Sequence, residues 1–373
     1  MRVAGIVRGG VVRRHRVGLV GAAAVATLGL VLGACGGSDE ASSGSTTAAP
    51  TTATTATTAA PTTASTTTAP VTTIPTGPCT LAPDTRVEEL TLDELARYEL
   101  KNGESVPTFA QFLDLADGAK VGVLPEIKYF PTVDGGDPVP WTEAQLTEYR
   151  QMIEQRKNLS AVLMGSFEDS ALAYFKKNQP DWPRIWFRGI GGKDPFAPPT
   201  VAEMRRRAPS ANALGVINVL YTQGTFAPDG KTYDVPKEFA DAGIPVDVWF
   251  NVTTKGDSPE GAAPFAGVPS LGWTGITALS PKNVKWLSTD RVPDYTAWAK
   301  GQGASAPTMI AHRGGGEDGV SENSLAAFRK AVSDGADVLE TDVQWTKPTA
   351  EHPNGVPVLM HDATINRTTR CRS

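Results

Sequence analysis

The sequence predicts an α/β protein built as a closed (β/α)8 barrel of the TIM type across residues 78–373. Three observations carry that expectation. Short apolar runs alternate with amphipathic stretches along almost the whole region, which argues for a parallel sheet covered by helices. The region is about 300 residues long, the size of one such barrel. Polar residues gather at the C-terminal ends of the apolar runs, where a barrel builds its functional face.

Taken in order, the expected strands are Val121–Lys128, Ala161–Ser166, Arg184–Arg188, Gly215–Tyr221, Val246–Asn251, Lys285–Thr289, Met309–His312, Asp337–Val343 and Val356–His361. The expected helices are Leu92–Leu100, Thr108–Ala116, Glu143–Lys157, Asp169–Asn178, Val201–Ala208, Lys237–Ala242, Tyr295–Lys300 and Ser324–Asp334. Nine strands exceed the eight of a barrel, and the link from Val343 to Val356 holds no helix. Either one strand is peripheral, therefore, or that region departs from a regular barrel.

The chain before this region reads differently. Residues 1–34 carry Arg2, Arg8, Arg13, Arg14 and Arg16, no acid, and the apolar run 17–34, the layout of an export signal. Removing those five arginines from 35 Lys and Arg leaves 30 against 40 Asp and Glu, a net charge near −10. A chain so acidic lacks the clustered positive charge that nucleic-acid binding requires. Leu32-Gly33-Ala34-Cys35 resembles the lipobox of bacterial lipoproteins, which implies lipidation at Cys35 and an exported protein anchored to the outer face of the cell membrane. Threonine supplies 16 of the 32 residues from Ser45 to Thr76, with Ala, Pro and Ser making up nearly all the rest. Such a segment has nothing to offset the entropy of ordering, so residues 35–77 are expected to form a solvated tether.

Four pairs of polar residues stand at the ends of expected strands: Glu126 with Lys128, His312 with Arg313, Glu340 with Asp342, and His361 with Asp362. Acids two apart on a strand face the same side. Three carboxylates at one barrel mouth repel unless a hard cation joins them, and oxygen ligands suit Ca2+ or Mg2+. Two histidines beside such a cation can divide general acid and base work.

These residues lie in motifs. Residues 309–315 read M-I-A-H-R-G-G, 321–328 S-E-N-S-L-A-A-F, 335–343 G-A-D-V-L-E-T-D-V and 356–370 V-P-V-L-M-H-D-A-T-I-N-R-T-T-R. Together and in this order they resemble the glycerophosphodiester phosphodiesterase family. Upstream segments, T-L-D-E-L, V-P-T-F-A-Q-F-L and L-P-E-I-K within 91–128, then Ser166-Phe167, Val248-Trp249 and Thr289-Asp290, look like parts that follow H-D-x-x-x-x-R-T-T in that family. The resemblance thus implies a circularly permuted barrel, with the family's termini joined near 300–307.

The resemblance implies Glu340, Asp342 and Glu126 as ligands of a divalent cation. It implies His312 as general base, His361 as general acid, and Arg313 and Lys128 as partners of phosphate oxygens. The permutation would cut the family's chain in the loop after the H-D strand; Cys79 and Cys371 would flank that cut, and a disulfide between them would rejoin it, adding roughly 4 to 5 kcal/mol on a chain-entropy estimate. Glu322-Asn323 is expected to cap and orient the helix near Ser324. The implied reaction is hydrolysis of a glycerophosphodiester, small or part of a glycerol-phosphate polymer, to an alcohol and sn-glycerol 3-phosphate. The alternatives are lyase-type cleavage to a cyclic phosphate and a lipoprotein that binds such diesters without cleaving them.

Overall fold

In the computed structural model the described residues are 79, 84–131, 136–189, 197–221, 223–225, 232–250, 256–265, 268–315 and 320–372. The export signal, Cys35, the tether and Asn251 lie outside them. Eight strands form the barrel: β1 (Gly122–Ile127), β2 (Met164–Ser166), β3 (Arg184–Arg188), β4 (Ala213–Ile217), β5 (Val246–Trp249), β6 (Val284–Thr289), β7 (Thr308–Ala311) and β8 (Val338–Trp345). Each is parallel to its neighbours in chain order. The circle closes where β8 pairs with both β7 and β1.

Short strands buried on both faces read as apolar runs, which is why all eight were visible in the sequence. The peripheral ninth is the 356–361 run: Pro357–Leu359 pairs antiparallel with the end of β8. His361 therefore reaches the barrel mouth from a hairpin, not from a barrel strand.

The outer layer consists of α1 (Phe109–Ala119), α2 (Glu143–Glu154), α3 (Asp169–Asn178), α4 (Val201–Arg207), α5 (Val235–Asp241), α6 (Trp273–Leu279), α7 (Val292–Gln302) and α8 (Leu325–Ser333). Capping boxes start α1 and α2, at Thr108 with Gln111 and Thr142 with Gln145, and satisfy amide groups that a helix N-terminus leaves unpaired. Apolar residues at helical spacing, such as Phe109, Phe112 and Leu113, pack on the sheet, and Phe109 stacks on Tyr149 of α2 at 4.7 Å. Inside the barrel the Phe187 ring lies so close to Gly165 and Gly215 that a Cβ there would approach it to 2.4 and 2.3 Å. Only glycine on the flanking strands leaves room for that ring.

The expected helix Leu92–Leu100 stops at Leu95; Tyr98–Leu100 is instead a strand paired with Thr369–Cys371. This ladder joins the two ends of the folded region over a small core of Val87, Leu95, Leu100, Val358 and Ile365. The Cys79–Cys371 disulfide forms beside it, with Cα atoms 5.7 Å apart.

Candidate active site

The C-terminal end of β8 supplies Glu340 and Asp342, two residues apart and on one face. The β1–β8 register sets Glu126 directly beside Asp342. One carboxylate oxygen from each of Glu126, Glu340 and Asp342 falls within 4.8 Å of the others, and all three residues are buried. Burial, together with the charge of Asp342, raises the proton affinity of Glu126 and lifts that of Glu340 to about 8. Asp342 is buried too, but Lys128 and Arg313 hold it well below the ordinary carboxylate range. Hard oxygen donors gathered this closely fit a divalent cation such as Ca2+ or Mg2+.

Lys128 lies between two of these acids, with Nζ 2.7 Å from Glu126 and 3.0 Å from Asp342. Arg313 follows β7 in a turn where its own backbone is left-handed, at φ 51°. A non-glycine residue adopts that conformation at a cost, so the surroundings must fix it. Its backbone N–H donates to Glu340 Oε2 at 2.8 Å, and its side chain pairs with Glu322 and Asp342. Both expected phosphate-binding cations thus lie at the acidic cluster.

Asn323, also left-handed at φ 55°, locks the centre from the side. Its amide donates to Asp342 at 2.9 Å and its carbonyl accepts from Thr341 Oγ1 at 2.7 Å. The helix-capping role expected of Glu322-Asn323 belongs to Ser324, whose hydroxyl accepts from Ala327 N–H. Glu322 instead joins two guanidinium groups, those of Arg313 and Arg367.

Each expected proton-transfer histidine has a carboxylate on Nδ1. Asp290, at the end of β6, is 2.7 Å from His312; Asp362 is 2.6 Å from His361. Burial and Arg313 oppose a charged His312, yet Asp290 and Glu340 outweigh them and lift its pKa to about 9. Burial, then Lys128 and Arg313, push His361 down to about 4. Asp362 is clamped in turn by Arg367, which also binds Glu322. His352 lies in an exposed turn away from the cluster.

Two acids, half-buried Asp257 and buried Asp247, escaped the sequence reading. Asp257 accepts from the backbone N–H of Asp290 at 2.9 Å, Thr289 Oγ1 at 2.7 Å and the Trp273 indole at 2.8 Å, and so fixes the carboxylate that holds His312. Asp247 on β5 accepts from Ser288 at 3.0 Å, and burial lifts its pKa to about 7. Asp290 was visible as part of Thr289-Asp290, but nothing local in the sequence marks it as the partner of His312.

The fold and site define an eight-stranded parallel barrel whose C-terminal mouth combines a buried carboxylate cluster with two Asp–His pairs and two cations. Residues 312–373 match the Glycerophosphoryl diester phosphodiesterase family. Over 86 residues it is 41% identical to Glycerophosphodiester phosphodiesterase 1 of Rattus norvegicus, a match covering 23% of this chain and 24% of that protein. It is 48% identical over 61 residues to the glycerophosphodiester phosphodiesterase of Caldanaerobacter subterraneus, covering 16% of this chain and 22% of that one. The chain thus spans about a quarter of the length of the curated relatives it matches. A solved glycerophosphodiester phosphodiesterase from Parabacteroides distasonis aligns over 54% of this chain and 67% of its own, with 17% identity and a TM-score of 0.35.

Proposed function

We propose that the protein hydrolyses glycerophosphodiesters to an alcohol and sn-glycerol 3-phosphate with the help of a divalent cation. One observation carries this reading. The family-matching residues His312, Arg313, Glu340, Asp342 and His361 gather at one site with Glu126 and Lys128, which come from the opposite end of the folded region.

Glu126, Glu340 and Asp342 are the residues to hold the cation, which when bound supplies positive charge to phosphate oxygens. Arg313 and Lys128 add charge-assisted hydrogen bonds to those oxygens as negative charge develops. His312, held by Asp290, accepts the proton of the attacking hydroxyl or water. The carboxylate stabilises the imidazolium that results, as in other Asp–His pairs. His361, held by Asp362, is the group placed to deliver a proton to the departing alcohol.

The motif-bearing strands β7 and β8 come last of the eight in chain order. That placement, read with the family resemblance, supports a permuted order of family segments. The arginine-rich start and the Leu32–Cys35 lipobox support export and anchoring to the outer face of the cell membrane through Cys35.

The deciding experiment measures sn-glycerol 3-phosphate released from glycerophosphodiesters by the full chain, with added Mg2+ or Ca2+ and with chelator. Metal-dependent release that Glu126→Ala abolishes upholds the proposal. Absence of turnover in folded, metal-supplemented protein overturns it.

A further inference from the structure

His361 reaches the barrel mouth from the hairpin that follows β8, so its aim depends on side chains that hold that hairpin. The first hold comes from β8 itself. The Gln344 amide donates to the carbonyl oxygens of Met360 at 2.6 Å and Asp362 at 2.7 Å, the residues on either side of His361. Its backbone is pinned in this way, which leaves the orientation of the ring to Asp362, 2.6 Å from Nδ1.

Asp362 is held in turn by Arg367, five residues on, whose Nε and Nη2 meet its two carboxylate oxygens, the second at 3.2 Å. The other edge of the same guanidinium forks onto Glu322, with Nη1 3.0 Å from Oε2 and Nη2 2.5 Å from Oε1. Glu322 Oε1 also accepts from Arg313 Nη1 at 3.2 Å. Two-pronged pairing of arginine with carboxylate fixes angle as well as distance. Burial favours the neutral acids, yet His361 and Arg367 outweigh it at Asp362, and Arg313 and Arg367 at Glu322, so both lie below the ordinary carboxylate range. An ionised carboxylate only accepts. Nδ1 of His361 therefore carries a proton, and Nε2 is the nitrogen left to exchange one.

We infer that Glu322 and Arg367 are positioning residues that aim the His361–Asp362 pair at the departing alcohol and lock it to Arg313, the residue assigned to a phosphate oxygen. The path Arg313–Glu322–Arg367–Asp362–His361 alternates cation and acid up to the ring. A phosphate drawn to Arg313 and a proton donor held through Arg367 thus share Glu322, and the place of one sets the place of the other. Misplacing a reacting group by about 1 Å can cost roughly 100-fold in rate. The inference rests on the phosphodiesterase reading, because it concerns the proton that the leaving alcohol needs.

The test uses the full, metal-supplemented chain and two diesters of sn-glycerol 3-phosphate that differ in leaving group. Choline needs a proton to depart, whereas 4-nitrophenol departs as a stable anion. Arg367→Gln should lower kcat on the choline diester roughly 10- to 100-fold, part of the worth of a general acid, and change kcat on the nitrophenyl diester by less than about threefold. Glu322→Gln should give the same split and also raise KM for both diesters, since it releases Arg313. Arg367→Lys keeps the charge without the fork; it should show the split too, and it replaces Arg367→Gln if that variant does not fold. Equal losses on the two diesters overturn the inference, as does no loss on either. If the parent chain cleaves neither diester, the phosphodiesterase reading falls separately, and nitrogen NMR of the neutral His361 ring decides the aiming. A proton fixed on Nδ1 in the parent and shared between both nitrogens in Arg367→Gln upholds it; the same tautomer in both chains ends it.

Discussion

Removing the charge of Asp290 tests how the site sets its proton inventory. In Asp290→Asn the side chain keeps its shape and an oxygen that can face His312 Nδ1, now 2.7 Å from the carboxylate. The pKa of His312 stands at about 9 against an ordinary 6.5, although burial and Arg313 both work against its charged form. A rise of that size corresponds to roughly 3 kcal/mol favouring the imidazolium. Without Asp290 only Glu340 opposes burial and Arg313, so the affinity should fall towards the ordinary 6.5 or below it. An acid–base pair needs one proton shared between His312 and His361, so kcat/KM should form a plateau bounded by their two pKa values, about 4 and about 9. In Asp290→Asn the alkaline limb should move down by two units or more, with the acid limb in place. Folding stability should respond in a linked way. The contribution of His312 is complete below its unfolded value of about 6.5 and is lost as pH rises through about 9. Asp290→Asn should therefore lower the melting temperature more at pH 6 than at pH 10. An alkaline limb that stays near 9 in the variant would refute the assignment of Asp290 as the source of His312 basicity.

Three further outcomes are expected. Asn323→Ala leaves Asp342 without its amide donor, and calorimetric titration with Mg2+ or Ca2+ should show affinity weakened roughly 10- to 100-fold. The Asp247 carboxyl holds its proton in the folded state up to about 7 but only to about 3.8 when unfolded, so stability is lost as pH rises between those values. Asp247→Asn should accordingly raise the melting temperature at pH 8 and change it little at pH 3.5; equal shifts at both pH values would contradict the burial argument. Cys371→Ser opens the Cys79 bridge and should cost roughly 2 to 5 kcal/mol in denaturant unfolding, with peptide mapping of the parent chain detecting the linked pair.

What could be read from the sequence follows from how local each feature is. Buried parallel strands announce themselves as apolar runs ended by polar residues, and Ile185, Trp186 and Phe187 of β3 form such a run. Helix α6, Trp273–Leu279, was missed because W-T-G-I-T-A-L mixes glycine and threonine with no marked polar face, and it is held by tertiary packing of Trp273 against Tyr295. Tyr98–Leu100 read as the continuation of a helix; its strand state depends on a partner 271 residues away at Glu99–Arg370. The site behaved similarly. His312, Arg313, Glu340, Asp342 and His361 stand in motifs and could be named at once. Asp257 is a single acid in an irregular stretch, and only the fold brings it to the amide of Asp290.

The same dependence on closure runs through the centre of the site. Asp342 and Glu126 are register partners across the β8–β1 pairing, the joint between the last barrel strand in the chain and the first. Lys128 crosses that joint to reach Asp342. The segment that matches the family, 312–373, contains Glu340 and Asp342 but neither Glu126 nor Lys128. By itself it would leave two like charges side by side with neither their third carboxylate nor their ammonium partner. A complete acidic cluster therefore exists only when the barrel is shut, and the terminal ladder, small core and disulfide that tie residues 79–106 to 358–371 serve the site as much as the fold. Loosening that tie should act on cation affinity and on stability together, although every tied residue lies outside the cluster.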